Sequence, residues 1–417
     1  MEGVTTLVGQ GLYMAIAAVV GLMLARILRT DITLGCLIAG VLAGVLLPVL
    51  DYDTGLRAAN LQQLVFFVIL PVLIFEAAWQ IEPRLLKRWL GPIFLFSTLG
   101  VVVCALIIAL LTFFGINHPE GFPWIAALLT GAILAATDPV SVVTKLRQSD
   151  AEAELLTLVE GESLFNDAAA IVLFSLVLGV ASHSVMEGGI ETGEPLIGAA
   201  DVAVYFVVTF AGGLAVGLLC GLVTAVVVLF LGSAGAGLMT LVLAAFGSFY
   251  LAEHVVHVSG IISVVTCAIV ARVCLREQCE TYLVHVEPTW DWLGLLFNAL
   301  IFVIMGVTIT FEMFAHQWLA ILIAIAASIG ARALAIFLVA PLAHLVGPQI
   351  PKAWRLIMGW GGLRGVVAVA LVLSLPTELP YWWTVQSMVF GVVLFSLLVQ
   401  GSSSAWLIGK LQKNDRC

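Results

Sequence analysis

The chain has 417 residues, 62% hydrophobic and 10% charged, with a mean hydropathy of +1.15. A soluble domain carries roughly 25% charged residues, and this much apolar side chain cannot be hidden in one water-soluble core. With 17 Lys and Arg against 26 Asp and Glu, and no basic run, disorder and nucleic-acid binding are excluded too; a polytopic membrane protein remains.

A spanning helix needs about 20 mostly apolar residues. Thirteen segments qualify in chain order: 4–28, 33–50, 62–81, 89–115, 122–146, 154–182, 202–231, 235–256, 258–275, 289–311, 317–345, 353–375 and 382–410. The first has no basic n-region and no clear cleavage site, so it reads as a retained helix. The seventh is long and predicts a tilt, and its Gly212, Gly213 and Gly217 predict close helix packing. At the end of the eighth, Glu253-His254-Val255-Val256-His257 has the wrong order for a zinc-protease helix and reads as an interfacial polar cluster. Glu187, Glu191, Glu194 and Asp201 read as a solvated acidic loop. The 39 Gly and 14 Pro suit membrane helices. Seven cysteines, at 36, 104, 220, 267, 274, 279 and 417, form no CxxC or Cys/His zinc pattern and read as packing residues. The connections are short and leave no room for a soluble domain.

Basic residues fix the sidedness. Arg26, Arg29, Arg84, Lys87, Arg88, Lys145, Arg147, Arg272, Arg276, Lys352, Arg355, Lys410, Lys413 and Arg416 occupy the odd loops and the tail, 14 of the 17 Lys and Arg. The opposite side holds Arg57. The N-terminus is therefore expected outside and the C-terminus in the cytoplasm. Arg332 and Arg364 fall inside the eleventh and twelfth spans. Glu76, Asp138, Glu160, Glu162 and Asp167 also fall inside spans. A charge at mid-membrane costs about 2.5–3.5 kcal/mol on an insertion scale. So many together must pair or line a wet cavity.

Two spans carry breaks. In the fifth, Pro139 of Thr137-Asp138-Pro139 lacks a backbone donor and biases Asp138 away from helical backbone. In the twelfth, Gly359-Trp360-Gly361-Gly362-Leu363-Arg364-Gly365 has four glycines in seven residues, which permits unwinding. Freed backbone at that depth must line a cavity or pack in protein. Each break lies in the fifth helix of a six-helix half. The seventh helix between the halves gives them opposite orientation. This is the pattern of an inverted-repeat secondary transporter.

The sixth span reads Val159-Glu160-Gly161-Glu162-Ser163-Leu164-Phe165-Asn166-Asp167. Residues four apart share a helix face, so Ser163 and Asp167 form one face and Glu162 and Asn166 its neighbour. A hard cation takes oxygen ligands. Asp167 and Ser163 supply a carboxylate and a hydroxyl. The Thr137-Asp138 region can add carbonyls, a hydroxyl and a second carboxylate, and Glu76 can close the shell. A carboxyl group away from water can hold a cation or a proton, and competition for one site with alternating access is exchange. Glu162 is available to pair with a buried arginine, although spacing alone does not select Arg332.

Thr137-Asp138-Pro139-Val140, Gly161-Glu162-Ser163-Leu164-Phe165-Asn166-Asp167 and Gly362-Leu363-Arg364-Gly365 resemble the signature segments of the NhaP-type sodium/proton antiporters, relatives of the eukaryotic sodium/proton exchangers. Weaker likeness runs through Leu73-Ile74-Phe75-Glu76, Ala252-Glu253-His254, Ser259-Gly260 and Asn298-Ala299-Leu300 with Phe302 and Gly306. The resemblance implies an all-α homodimer of thirteen helices in a bacterial inner membrane. A core bundle (89–182 and 317–410) would move against a dimerisation bundle (1–88 and 202–311). It implies that Asp167 is the shared cation/proton carboxylate, completed by Asp138, the Thr137 carbonyl, Ser163 and Glu76. Glu162 would pair with Arg332, Asn166 would brace the crossing, and Arg364 would stabilise the interrupted twelfth helix. The Asn166-Asp167 pair marks the electroneutral branch, with one proton exchanged per Na+, since Asn166 cannot carry a second proton. Li+ or K+ in place of Na+ stays open, as does, more remotely, a sodium-coupled organic-solute symporter. An intramembrane hydrolase would need a nucleophile–base pair that is not evident. No cofactor and no nucleic-acid partner are expected, and the lipid bilayer is the surrounding partner.

Overall fold

The computed structural model describes residues 2–49, 64–116, 121–149, 151–186, 199–279, 283, 286–379 and 381–415. Arg57, Glu187, Glu191, Glu194 and Arg416 lie outside them. Among the described residues there is no strand, and helix occupies every one of the thirteen expected segments. In chain order these are α1 Glu2–Leu28, α2 Ile32–Val49 and α3 Leu70–Gln80, the last entered through a wide turn at Val65–Ile69. Next, α4 runs from Pro83–Leu95 through Phe96–Gly100 to Val101–Gly115. The fifth helix, α5, is two half-helices, Trp124–Ala135 and Val140–Gln148. Then come α6 Ala153–Met186, α7 Ala199–Leu231, α8 Ala234–Tyr250 with its extension Leu251–Val256, and α9 Gly260–Cys274. The last four are α10 Val286–Thr308, α11 Phe311–Val346, α12 in halves Lys352–Trp360 and Val366–Leu373, and α13 Trp382–Phe395, continued through Ser396–Gly401 into Ser402–Asp415.

Eight of these helices (α1, α4, α6, α7, α8, α10, α11 and α13) are long and apolar enough to cross a membrane by length and composition. The halves of α12 have nine and eight residues. At 1.5 Å per residue neither reaches across a hydrocarbon layer of about 30 Å alone. Several boundaries differ from expectation by three to six residues, among them the start of α4 at Pro83 rather than 89. Helix α11 begins at Phe311, because Thr310 is extended, and Gln317 has non-helical backbone (φ −111°, ψ 17°). A short helical lead-in at 311–316 therefore precedes the span proper.

The helices pack in two sets. Helices α4, α5, α6, α11, α12 and α13 contact mainly one another, while α1, α2, α3, α7, α8, α9 and α10 form the other set. The glycines of α7 allow its close approach to α9. A Cβ on Gly217 would lie 2.7 Å from Thr266 Cβ, and one on Gly213 would lie 2.7 Å from the Ser259 carbonyl oxygen. Glu253 ends α8 by accepting the Gly260 amide at 2.9 Å, and the Ser259 hydroxyl accepts the Ile262 amide at 3.3 Å. Both orphan donors belong to the first turn of α9 and need such caps. Large apolar side chains are exposed on both helix sets, among them Phe230, Met239, Leu345 and Phe311. A soluble monomer does not tolerate such exposure. Cys36, Cys104 and Cys267 are buried, whereas Cys274 is exposed.

Candidate functional site

The breaks in α5 and α12 meet. Residues 136–139 and 361–365 are non-helical, and the Asp138 amide donates to the Leu363 carbonyl at 2.8 Å. This brings four half-helix ends to one crossing, two N-termini with partial positive charge and two C-termini with partial negative charge. Asp138 takes the N-termini. Its Oδ1 accepts the Val140 amide at 3.0 Å and its Oδ2 faces the Val366 amide at 3.5 Å. Arg364 takes the C-terminus of the first half of α5, donating from Nη1 to the Ala135 and Ala136 carbonyls at 3.2 and 3.0 Å. Arg332 Nε reaches the Met358 carbonyl of α12 at 3.3 Å. Gly365 makes the crossing possible, since a Cβ there would sit 2.6 Å from Asp138 Cγ.

Helix α6 lies against this crossing. The Ser163 hydroxyl donates to the Thr137 carbonyl, and Asn166 Nδ2 donates to the Thr137 hydroxyl at 2.8 Å. Glu162 and Arg332 form a two-pronged ion pair, both N···O distances 2.8 Å. Its side chains are 2% and 9% exposed, so water does not screen it. Asn166 Nδ2 also lies 3.4 Å from Glu162 Oε1. One turn beyond Ser163, Asp167 has a buried Oδ1 without a hydrogen-bond partner. The Thr137 main-chain amide and the charges of Asp138, Glu162 and Arg364 surround it.

A cavity of about 320 Å³ reaches this carboxylate, lined by Asp167, Ser163, Asp138, Glu76, Glu160 and Asn298 among others. A second cavity of about 370 Å³ lies beside it, lined by Asp31, Lys145 and Arg364, and shares Asp138 and Asn298 with the first. Glu76 stands on α3, across the cavity from α6. Its carboxylate accepts Gln80 Nε2 at 2.5 Å. Among the described residues no three His, Cys, Asp or Glu side chains converge as a metal cluster. The donors here are mixed instead: a carboxylate, a hydroxyl, a main-chain carbonyl and a second carboxylate facing them.

Three residues behave differently from the sequence reading. Glu160 is only partly buried and pairs with Arg147 at 2.7 Å, with 18% and 52% of the side chains exposed. It stands two turns from the start of α6, where its mate on the second half of α5 reaches it. Arg364 acts on α5 rather than on its own helix, because the crossing aims its guanidinium at carbonyls that the α5 break has freed. Asp138 spends both oxygens on backbone amides while also lining the cavities. Sequence reasoning gave no role to Gln80, which joins Glu76 to Asp291 (2.8 Å) and faces Arg147 at 3.5 Å. Its spacing of four from Glu76 was the available signal.

Comparison with known proteins adds the following. A family model described as sodium/hydrogen exchanger, transmembrane, matches residues 14–410. The Na(+)/H(+) antiporter ApNhaP of Aphanothece halophytica is 34% identical over 379 residues, which are 85% of this chain and 66% of that protein. The low-affinity Na(+)/H(+) antiporter NhaS1 of a Synechocystis strain is 33% identical, over 88% of this chain and 68% of its own. The chain thus spans about two thirds of the length of these two relatives. The Na(+)/H(+) antiporter NhaH of Halobacillus aidingensis is 31% identical, over 96% of both chains. Among solved structures, the sodium proton antiporter MjNhaP1 from Methanocaldococcus jannaschii at pH 8 superposes with a TM-score of 0.80 at 21% identity, covering 97% of this chain and 99% of that one.

Proposed function

The chain belongs to the sodium/hydrogen exchanger family of multi-pass membrane proteins, and on that premise we propose that it exchanges one Na+ for one H+ at Asp167 by alternating access. A count of charges carries the reading. Glu162 is matched by Arg332 at two bonds of 2.8 Å. Arg364 and Asp138 carry opposite charges and each faces half-helix ends of opposite sign. The carboxylate of Asp167 is left without a mate, its Oδ1 unpartnered. A bare buried charge of this kind is costly. A bound Na+ or a bound proton cancels it equally, and Glu76, whose carboxylate accepts from the neutral Gln80, contributes the same charge in both loaded states, so exchange is one for one. Asn166 is neutral and adds no second proton.

Na+ would be held by the Asp167 carboxylate, the Ser163 hydroxyl and the Thr137 carbonyl, with Glu76 facing from α3 and Asp138 acting through water. All are hard oxygen donors. The separate packing of the two helix sets supports a core bundle (89–182 and 317–410) that shifts against a dimerisation bundle (1–88 and 202–311) of a homodimer. On this reading thirteen helices cross the membrane. Arg88 and Glu154 join the starts of α4 and α6, and the excess of basic residues on that side supports a cytoplasmic C-terminus. K+ is the second reading, because the donor types suit either ion. In proteoliposomes with an imposed pH gradient, Na+ should drive proton flux that is insensitive to membrane potential. Asp167→Asn should abolish it; full flux in that variant would refute the proposal.

A further inference from the structure

Helix α10 packs against α3 and contributes Asn298 to the cavity lining. Asp291, Gly294 and Asn298 are spaced by three and four residues, so they line up along a helix. Asp291, which is exposed, accepts a bond at 2.8 Å from Gln80, itself in the cavity lining. One turn in, Gly294 makes room for Glu76, since a Cβ there would lie 3.0 Å from the Glu76 carboxyl carbon. A further turn in, about 10 Å beyond Asp291 at 1.5 Å per residue, stands Asn298. Its Oδ1 is buried and has no hydrogen-bond partner. It lines the cavity of Asp167 and also the neighbouring cavity, and Asp138 shares that position. A buried acceptor left unpaired is unfavourable. A cation or its remaining water is the partner that a cavity bordered by Glu76, Asp138 and Asp167 would bring.

We propose that Asn298 determines cation affinity and selectivity in the exchange, its carboxamide oxygen serving the cation as a neutral ligand on the passage from Glu76 to Asp167. The proposal rests on the reading that cations reach Asp167 through this cavity. A carboxamide suits the position. It offers a hard oxygen but no charge, so it adds no further negative charge to a cavity that already holds Glu76, Asp138 and Asp167. Asn298 also stands on α10, in the other helix set from α6. The two ligands therefore separate when the sets move, and the cation is not held by both bundles throughout the cycle.

The test uses the full chain in proteoliposomes, with proton flux driven by Na+, Li+ and K+ in turn. Asn298→Leu, close in volume but without the oxygen, should raise the half-saturating Na+ concentration about tenfold. The maximal rate should fall much less, and the order or ratio of the three ions should change. Asn298→Gln, which keeps a neutral carboxamide oxygen, should stay much closer to the wild-type half-saturation than Asn298→Leu does. Stabilisation of the detergent-solubilised protein against heat by Na+ should follow the same pattern. A packing role alone would lower yield, thermal stability or maximal rate in Asn298→Leu while leaving half-saturation and ion ratios as in wild type. That result overturns the proposal. If the wild-type protein carries none of the three ions, the exchange reading and this inference fall together. If wild type exchanges and the Leu variant matches it, only the inference falls.

Discussion

Removal of Arg332 is the perturbation with the most direct magnitude. The side chain makes two bonds of 2.8 Å to Glu162 and a third of 3.3 Å to the Met358 carbonyl, and the pair is 9% and 2% exposed. Losing one member of a buried pair strands the other charge and costs about 3–5 kcal/mol. Arg332→Met should therefore destabilise by about that much, and Glu162→Met likewise. Replacing both leaves no stranded charge. Such replacements are often neutral or stabilising by about 1–4 kcal/mol, against about 1 kcal/mol for the Met358 bond. The double variant should thus be more stable than either single one, with a coupling of at least about 3 kcal/mol. Unfolding of the purified protein in mixed micelles with increasing sodium dodecyl sulfate measures all four corners of the cycle. A double variant no more stable than the weaker single variant would refute the account of the pair as buried and mutually dependent. Because the pair is neutral, its joint removal should also leave the charge at Asp167 unmatched, so the double variant should still exchange Na+ for H+.

Competition at one carboxylate predicts that, on the acid side of the pH profile, each unit rise in pH lowers the half-saturating Na+ concentration by up to about tenfold at constant maximal rate; a fall in maximal rate with fixed half-saturation would indicate separate sites. Gly365→Ala should destabilise by about 1–3 kcal/mol through overpacking and should lose exchange, because the new Cβ meets Asp138; near-wild-type unfolding and flux would show that the crossing can widen. Arg364→Lys should keep the charge but lose the rigid guanidinium that holds Nη1 on the Ala135 and Ala136 carbonyls and Nη2 on Cys104 Sγ. Its cost should be about 1–3 kcal/mol, read in the same micelle titration, and equality with wild type would show that charge alone suffices.

Much of this molecule is legible from local sequence because the bilayer makes local sequence decisive. Hydrocarbon thickness sets the length of a span, unpaired backbone polar groups are excluded from lipid, and basic residues sort by side. The helical segments, the unwinding at Pro139 and at Gly361–Gly365, and the presence of a carboxylate at Asp167 within a span all follow from a few consecutive residues. The partners of the charged side chains do not. A helix turns about 100° per residue, so contact across helices depends on how each is rotated about its axis and how closely it approaches its neighbour. That is why Glu160 and Arg147 found each other, why Arg364 serves α5 instead of α12, and why the oxygens of Asp138 go to two backbone amides from different helices. It is also why Asn298 was only part of a weak motif until the glycine one turn earlier brought α10 against Glu76. Composition and spacing decide which groups must lie within the membrane, and only the packing of the crossing decides which of them remain unpaired.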